Sequence, residues 1–262
     1  MSVRRGTTRR ARAASGNRGR AARFRGAPTN QGNATSVAVS QVAQRLLEVR
    51  ERIERAARAA GRAPESVRLM AVSKTKPAEL IREAYAAGQR DFGENYVQEL
   101  SAKAEELSDL PELRFHMIGH LQRNKVKQVV RHVVSVHTVD SIRLAEELGK
   151  RAADGLAVLV EVNVGGEEQK SGCAPAELEA VLATIEAQPT LRLRGLMTVP
   201  PHTDDAAGAR PYFDTLARLR DAHGGAERLP ELSMGMTHDL EHAVAAGATW
   251  VRVGTAIFGA RG

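Results

Sequence analysis

Cysteine is nearly missing from this 262-residue sequence: Cys173 stands alone, which excludes an internal disulfide and a cysteine-based zinc cage and suits a reducing compartment. Aromatic residues are almost as scarce, with three Tyr, five Phe and one Trp, too few to suggest a surface on which nucleic-acid bases stack. No uninterrupted apolar run reaches the ~18 residues that a membrane-spanning helix needs, so the chain reads as cytoplasmic. Acidic residues are absent from positions 1–34, a stretch that holds nine arginines (4, 5, 9, 10, 12, 18, 20, 23 and 25).

That leader accounts for the basic balance. The formal net charge is +7; taking away the leader's nine leaves about −2 for the rest of the chain, so no specific nucleic-acid binding is expected of the fold. The leader is rich in Arg, Ala, Gly and Ser and has no hydrophobic period, which predicts a disordered segment at 1–36 ahead of a folded domain at 37–262. It has no apolar core of a secretory signal, although its composition is also that of a transit peptide. Clustered arginines attract phosphates without specificity, so nonspecific binding to nucleic acid or anionic membrane is the role left open for it.

Beyond the leader the sequence alternates between two periods. Residues 38–60 place apolar side chains at helical spacing, with Gly61 as a stop. Eight strand-like runs follow: VRLMAV, RDFGEN, RFHMIG, SVHTV, LAVLVEVNV, LRLRGLMTV, ELSMGMT and WVRVGTAIFG. All but the last are followed by a helical pattern. Strand–helix alternation implies right-handed βαβ units and a parallel sheet, and eight units imply an α/β fold closed into a single (β/α)8 barrel with an extra N-terminal helix. A doubly wound open sheet is the alternative. No helix is expected after the eighth strand, taken as 251–259, so the helix at 38–60 should cover that gap.

Barrels of this kind carry their sites at the carboxyl ends of the strands, often with a phosphate on the loops after strands seven and eight. There the sequence offers LSMGMTHD and VRVGTAIFG, in which Gly235, Gly254 and Gly259 permit close backbone approach beside Ser233, Thr237 and Thr255. After strand one, in AVSKTKP, Lys74 follows an apolar strand that holds its stem and presents its amine at the mouth, where Schiff-base chemistry becomes possible; Lys76 reads instead as a solvated lysine. Arg252 interrupts an apolar strand, so it pairs with a barrel carboxylate or faces a ligand. Asn95 and His116 are candidates to line the pocket, with Glu94 and Asn163 at further strand ends and Glu161 a candidate to answer an internal charge. His116 and His120 are four apart but span a strand-to-loop junction without a third ligand, so no metal site is expected.

These motifs, in this order, carry a resemblance. AVSKTKP, FGENYVQE, FHMIGHLQRNK, QKSG, GLMTV, LSMGMTHD and VRVGTAIFG run from about residue 38 to Arg261, and the chain resembles the YggS/PROSC family of pyridoxal phosphate homeostasis proteins. The resemblance implies a TIM barrel of pyridoxal 5′-phosphate (PLP) fold type III, like the amino-terminal domain of alanine racemase. In it PLP is held covalently as an internal aldimine on Lys74, with Ser233, Gly254 and Thr255 at phosphate-binding positions and Thr237 a further candidate. Arg252 would face the pyridine nitrogen and keep it unprotonated, which makes the cofactor a poorer electron sink. Two departures stand out: the leader lies outside the family pattern, and Thr237 and His238 replace the family's usual serine and its neighbour.

The implied function is intracellular PLP (vitamin B6) homeostasis by a monomeric carrier without turnover of its own, which passes PLP to PLP-dependent apoenzymes. A PLP-dependent racemase or decarboxylase would need a second acid or base and a carboxylate-recognition site. Related enzymes take these from an added β domain for which the sequence leaves no residues, and the tyrosine candidates are Tyr85, Tyr96 and Tyr212. A cofactor-free aldolase using Lys74 would share the barrel but lack the colour of a bound PLP.

Overall fold

The computed structural model describes residues 40–167 and 169–260; the arginine-rich leader expected at 1–36 lies outside the described residues. Helix α1 (Gln41–Ala59) starts where the Ser40 hydroxyl accepts from the Ala43 amide. Its Val42, Leu46, Val49, Ile53 and Ala56 recur at three- and four-residue spacing, and all are buried. It ends in a Schellman turn: Gly61 adopts φ 68°, the Arg62 amide donates to the Ala57 carbonyl, and that of Gly61 donates to Arg58.

The alternation then runs β1 (Arg68–Val72), α2 (Ala78–Ala86), β2 (Asp91–Glu94), α3 (Val97–Glu106), β3 (Arg114–Met117), α4 (Val126–Val129), β4 (Val133–Val139), α5 (Ile142–Arg151), β5 (Leu156–Glu161) and α6 (Leu178–Glu186). It continues with β6 (Leu191–Met197), α7 (Arg210–Ala222), a short α8 (Gly225–Arg228), β7 (Glu231–Ser233), α9 (Leu240–Ala245), β8 (Trp250–Val253) and α10 (Thr255–Phe258). Every strand pairs parallel with the next, and β8 pairs with β1 (Met70 opposite Arg252). That last pairing closes the barrel and rules out the open doubly wound sheet.

Strand side chains alternate between two environments. Ala71, Phe92, Phe115, Val136, Val158, Val160, Leu196, Leu232, Val251 and Val253 face outward and join one apolar core under the helices. The inward set is unusual, because barrel interiors are mostly layers of branched aliphatics. Here His116, Ser135, His137, Ser233, Trp250 and Arg252 are buried there, and contacts between strands that are not neighbours, such as His137 to Ser233, place them inside.

The expected eighth strand at 251–259 is corrected by the structure. It stops at Val253, and 255–258 forms a helical turn in which the Ile257 and Phe258 amides both donate to the Gly254 carbonyl at 2.9 Å. A strand would send Ile257 and Phe258 to opposite faces; the turn buries both. So α10 stands in the place expected to lack a helix, and α1 packs against α10, α9 and α2 beside it. The seventh strand, expected through Thr237, ends at Ser233, because Gly235 takes φ 92°.

Candidate functional site

Lys74 lies two residues past the end of β1, half-buried, between a fully buried Ser73 and an exposed Thr75. Thr75 has φ 61°, a left-handed conformation that a β-branched residue adopts at a cost on the order of 1–3 kcal/mol. A network holds it. The Thr75 amide donates to Glu99 Oε2 at 2.8 Å, and Lys103 Nζ donates to the Ser73 carbonyl (2.8 Å), Glu94 Oε1 (2.8 Å) and Glu99 Oε2 (3.2 Å). The Ser73 hydroxyl donates to the same Glu94 oxygen at 2.7 Å. Burial pushes the Glu94 carboxyl up, against the pull of Lys103 and Ser73.

On the neighbouring strand β8, Arg252 is 4% exposed. Its Nη1 donates to Ser233 Oγ and its Nη2 to the Thr198 carbonyl, both at 2.8 Å. Burial lowers its pKa to about 10, with Glu161 and Asp239 pulling the other way, so it remains a cation at neutral pH. No carboxylate forms an ion pair with it among the described residues, so the expected pairing with a barrel carboxylate is replaced by these two hydrogen bonds. Glu161 ends β5 at 7% exposure; burial and the charge of Asp140 raise its carboxyl to about 7 against the influence of Arg252.

The loops after β7 and β8 meet, with Thr255 Oγ1 donating to Thr237 Oγ1 at 3.1 Å. Gly235 is required there, since a Cβ would lie 2.5 Å from that of Ala243 and its φ is positive. At Gly254 a Cβ would stand 3.1 Å from the Val72 carbonyl oxygen, beside the entry to the Lys74 loop. Asn95 follows β2, and Gly119 passes so close to its backbone that no side chain fits at 119. Asn95 Oδ1 and Glu161 Oε2 are buried without a hydrogen-bond partner among the described residues, as expected where a polar ligand completes the site.

Lys74, Asn95, Arg252, Gly254, Thr255 and Thr237 thus all belong to the carboxyl end of the barrel. Ser233 does not open onto the loops: its side chain is fully buried inside, engaged by Arg252 and, at 3.0 Å, by His137. His116 is likewise occupied lower in the barrel, with Nδ1 2.7 Å from Ser135 Oγ and Nε2 2.9 Å from Asp91. Burial pushes the Asp91 carboxyl up, but bonds from Arg114 and His116 outweigh it and hold the group well below the carboxylate range. His120 pairs with Asp140 at 3.4 Å, and no group of three metal-ligating side chains exists among the described residues. Asn163 is used locally, donating to the Glu167 carbonyl. Lys76 is not simply solvated: its Nζ donates to the Ala260 carbonyl and ties the Lys74 loop to the chain beyond α10.

Sequence reasoning missed Glu99, Lys103, His137 and Thr198. The first two carry a weak signal, a Glu–Lys pair four apart on one helix, which ordinarily marks a solvated face. Chemically the mouth offers an amine, a permanent cation, two adjacent hydroxyls on glycine-shaped loops and an unpaired amide oxygen. That set suits a small molecule with a carbonyl, a hydrogen-bond acceptor and an anionic group.

Comparison with known proteins agrees in extent. The family profile "Alanine racemase, N-terminal domain" matches residues 45–262. The pyridoxal phosphate homeostasis protein of Pseudomonas aeruginosa is 49% identical over 227 residues, covering 85% of this chain and 97% of that one; that of Aquifex aeolicus is 46% identical over 223 residues, covering 83% and 97%. Among solved structures, PipY of Synechococcus elongatus with PLP bound is 42% identical, with a TM-score of 0.72 over 83% of this chain and 99% of that one. The chain belongs to the family of pyridoxal phosphate homeostasis proteins, with a barrel of the alanine racemase N-terminal type.

Proposed function

We propose that this protein binds PLP at the mouth of its barrel through a Schiff base to Lys74 and serves PLP homeostasis as a carrier without turnover of its own. One observation carries the reading: a half-buried lysine and the converging Thr237 and Thr255 hydroxyls share the carboxyl end of one barrel with the buried cation of Arg252. The lysine supplies the amine for the aldehyde, and the glycine-shaped loops with their hydroxyls receive the phosphate. Arg252, still charged, meets the ring nitrogen, with Asn95 beside the ring. Ser233 serves the phosphate indirectly at most, because its hydroxyl anchors Arg252. PLP bound in PipY supports the choice of ligand.

The carrier reading draws support from the names of the relatives and from the placement of two of the three tyrosines, Tyr96 being the one that follows Asn95 at the end of β2. An arginine-bound ring nitrogen stays unprotonated and withdraws electrons poorly. Tyr85 stacks on Arg90 at 4.0 Å, away from the mouth, and Tyr212 belongs to α7. The reading includes a monomer in the cytoplasm that hands PLP to PLP-dependent apoenzymes, and a leader at 1–36 separate from the barrel at 37–262. No helix among the described residues is long and apolar enough to cross a membrane.

The test is the near-ultraviolet and visible absorbance of the purified protein with added PLP, before and after borohydride, followed by peptide mapping. A band whose reduced adduct maps to Lys74, and which Lys74→Ala lacks, supports the reading. A chain that stays colourless in excess PLP sinks it and favours a cofactor-free Schiff-base barrel.

A further inference from the structure

We infer that Glu99 and Lys103 of α3 are positioning residues for Lys74: with Glu94 they clamp the backbone on both sides of that lysine and so aim its amine at the mouth. The inference rests on the Schiff-base reading and adds to it what sets the lysine's place.

The clamp has two jaws. Before Lys74, the Ser73 carbonyl accepts from Lys103 and the Ser73 hydroxyl donates to Glu94. After it, the Thr75 amide donates to Glu99. Lys103 joins the jaws, because its three N–H groups go to Ser73, Glu94 and Glu99. Its side chain is 9% exposed and that of Glu94 fully buried, so neither is an ordinary helix-surface charge. Glu99 and Lys103 lie one helical turn apart on α3, the acid nearer the amino end, the favourable order for such a pair.

The conformation at Thr75 argues that the clamp does more than stabilise. Thr75 is the single non-glycine residue with positive φ among the described residues, it is β-branched, and it directly follows the lysine. Strain of this kind persists only where the surroundings over-determine it and is concentrated at functional sites. The bond from its amide to Glu99 is part of what holds it. Relaxing residue 75 to an extended conformation would turn the chain at Lys74 and swing the amine away from the mouth.

The experiment uses the full chain and PLP. In the adduct the Lys74 nitrogen forms a C=N bond to the aldehyde carbon, the C=O bond breaks, and its oxygen leaves as water; stopped-flow absorbance follows the rate, borohydride mapping the site, and a thermal melt the fold. Glu99→Ala, which removes the acceptor of the Thr75 amide and one of the three partners of Lys103, should slow formation about tenfold, with the adduct still on Lys74. Adding Thr75→Gly should restore the rate to within about threefold of wild type, because glycine holds a positive φ unaided. A merely structural role would show in the melt and would not be rescued at residue 75.

Wild-type rates in Glu99→Ala, or no rescue by Thr75→Gly, overturn the inference. If Glu99→Ala gives no cooperative melt, Thr75→Pro replaces it, since proline cannot reach positive φ: slowed formation in a folded chain supports the inference, and wild-type rates overturn it. A wild-type chain that forms no adduct at all is a different failure and sinks the Schiff-base reading itself.

Discussion

Arg252 and Ser233 are joined across β8 and β7 by a 2.8 Å bond from Nη1 to Oγ, and Arg252 can only donate. The Ser233 hydroxyl hydrogen therefore needs an acceptor of its own in a fully buried site, and His137 Nδ1, 3.0 Å away, is there to take it. That assigns a neutral His137 with its proton on Nε2. Burial, reinforced by the charges of His116 and Arg252, pushes this ring well below the usual histidine range.

Ser233→Ala is accordingly expected to leave a guanidinium N–H and an imidazole nitrogen unpaired inside the barrel, at about 1–3 kcal/mol of stability in denaturant unfolding. PLP retention should weaken because Arg252 loses an anchor, while the adduct on Lys74 still forms. Unchanged stability would show that the hydroxyl is not the link between the Arg252 guanidinium and the His137 ring.

Glu161 predicts a pH dependence opposite in sign to that of ordinary carboxylates. Its folded pKa of about 7 lies above the value of 4.5, so between those limits the native state holds a proton that the unfolded state has released. Stability from this group is fully present below about pH 4.5, falls as pH rises to about 7, and is level above it, a loss of at most about 3 kcal/mol. Glu161→Gln should raise Tm at pH 8 and leave it unchanged near pH 4.5. Equal effects at both pH values would mean that Glu161 is ionised throughout.

Much of this was legible in the sequence, and the exceptions have physical reasons. The apolar alternation in VRLMAV and WVRVG located β1 and β8, and a lysine just past such a strand located the mouth. The same alternation carried a fact left unread: with Leu232 and Met234 outward, Ser233 must point into the barrel. The end of β8 was misplaced because Thr, Ile and Phe favour strands locally, whereas burial beneath α1 favours a helical turn. The Glu94–Lys103 pair was invisible because it joins a strand end to a helix nine residues on, and no spacing rule gives the angle at which α3 leaves the barrel.

The Thr237–Thr255 pair separates ligand binding from folding. Thr255 is exposed and its bond to Thr237 joins two loops at the rim, so Thr255→Val should leave the melting curve within experimental scatter. If the hydroxyl faces the phosphate, PLP should dissociate about fivefold more readily, the equivalent of about 1 kcal/mol. Retention equal to wild type, measured by dialysis and residual absorbance, would move the phosphate off this loop.

Cys173 gives a reporter that needs no substitution. It is 3% exposed, and burial, helped by the charge of Glu177, pushes its thiol up to about 12, so the native protein at pH 8 presents neither access nor thiolate to a disulfide reagent. Labelling must wait for opening of the segment whose amide at 173 donates to the Glu161 carbonyl at 2.9 Å. If PLP binds only the closed barrel, PLP at about 100 times its Kd should hold that segment closed by about 2.7 kcal/mol and slow labelling about a hundredfold. Rapid labelling of the native chain would contradict the burial of Cys173, whereas slow labelling indifferent to PLP would place the ligand where the end of β5 does not feel it.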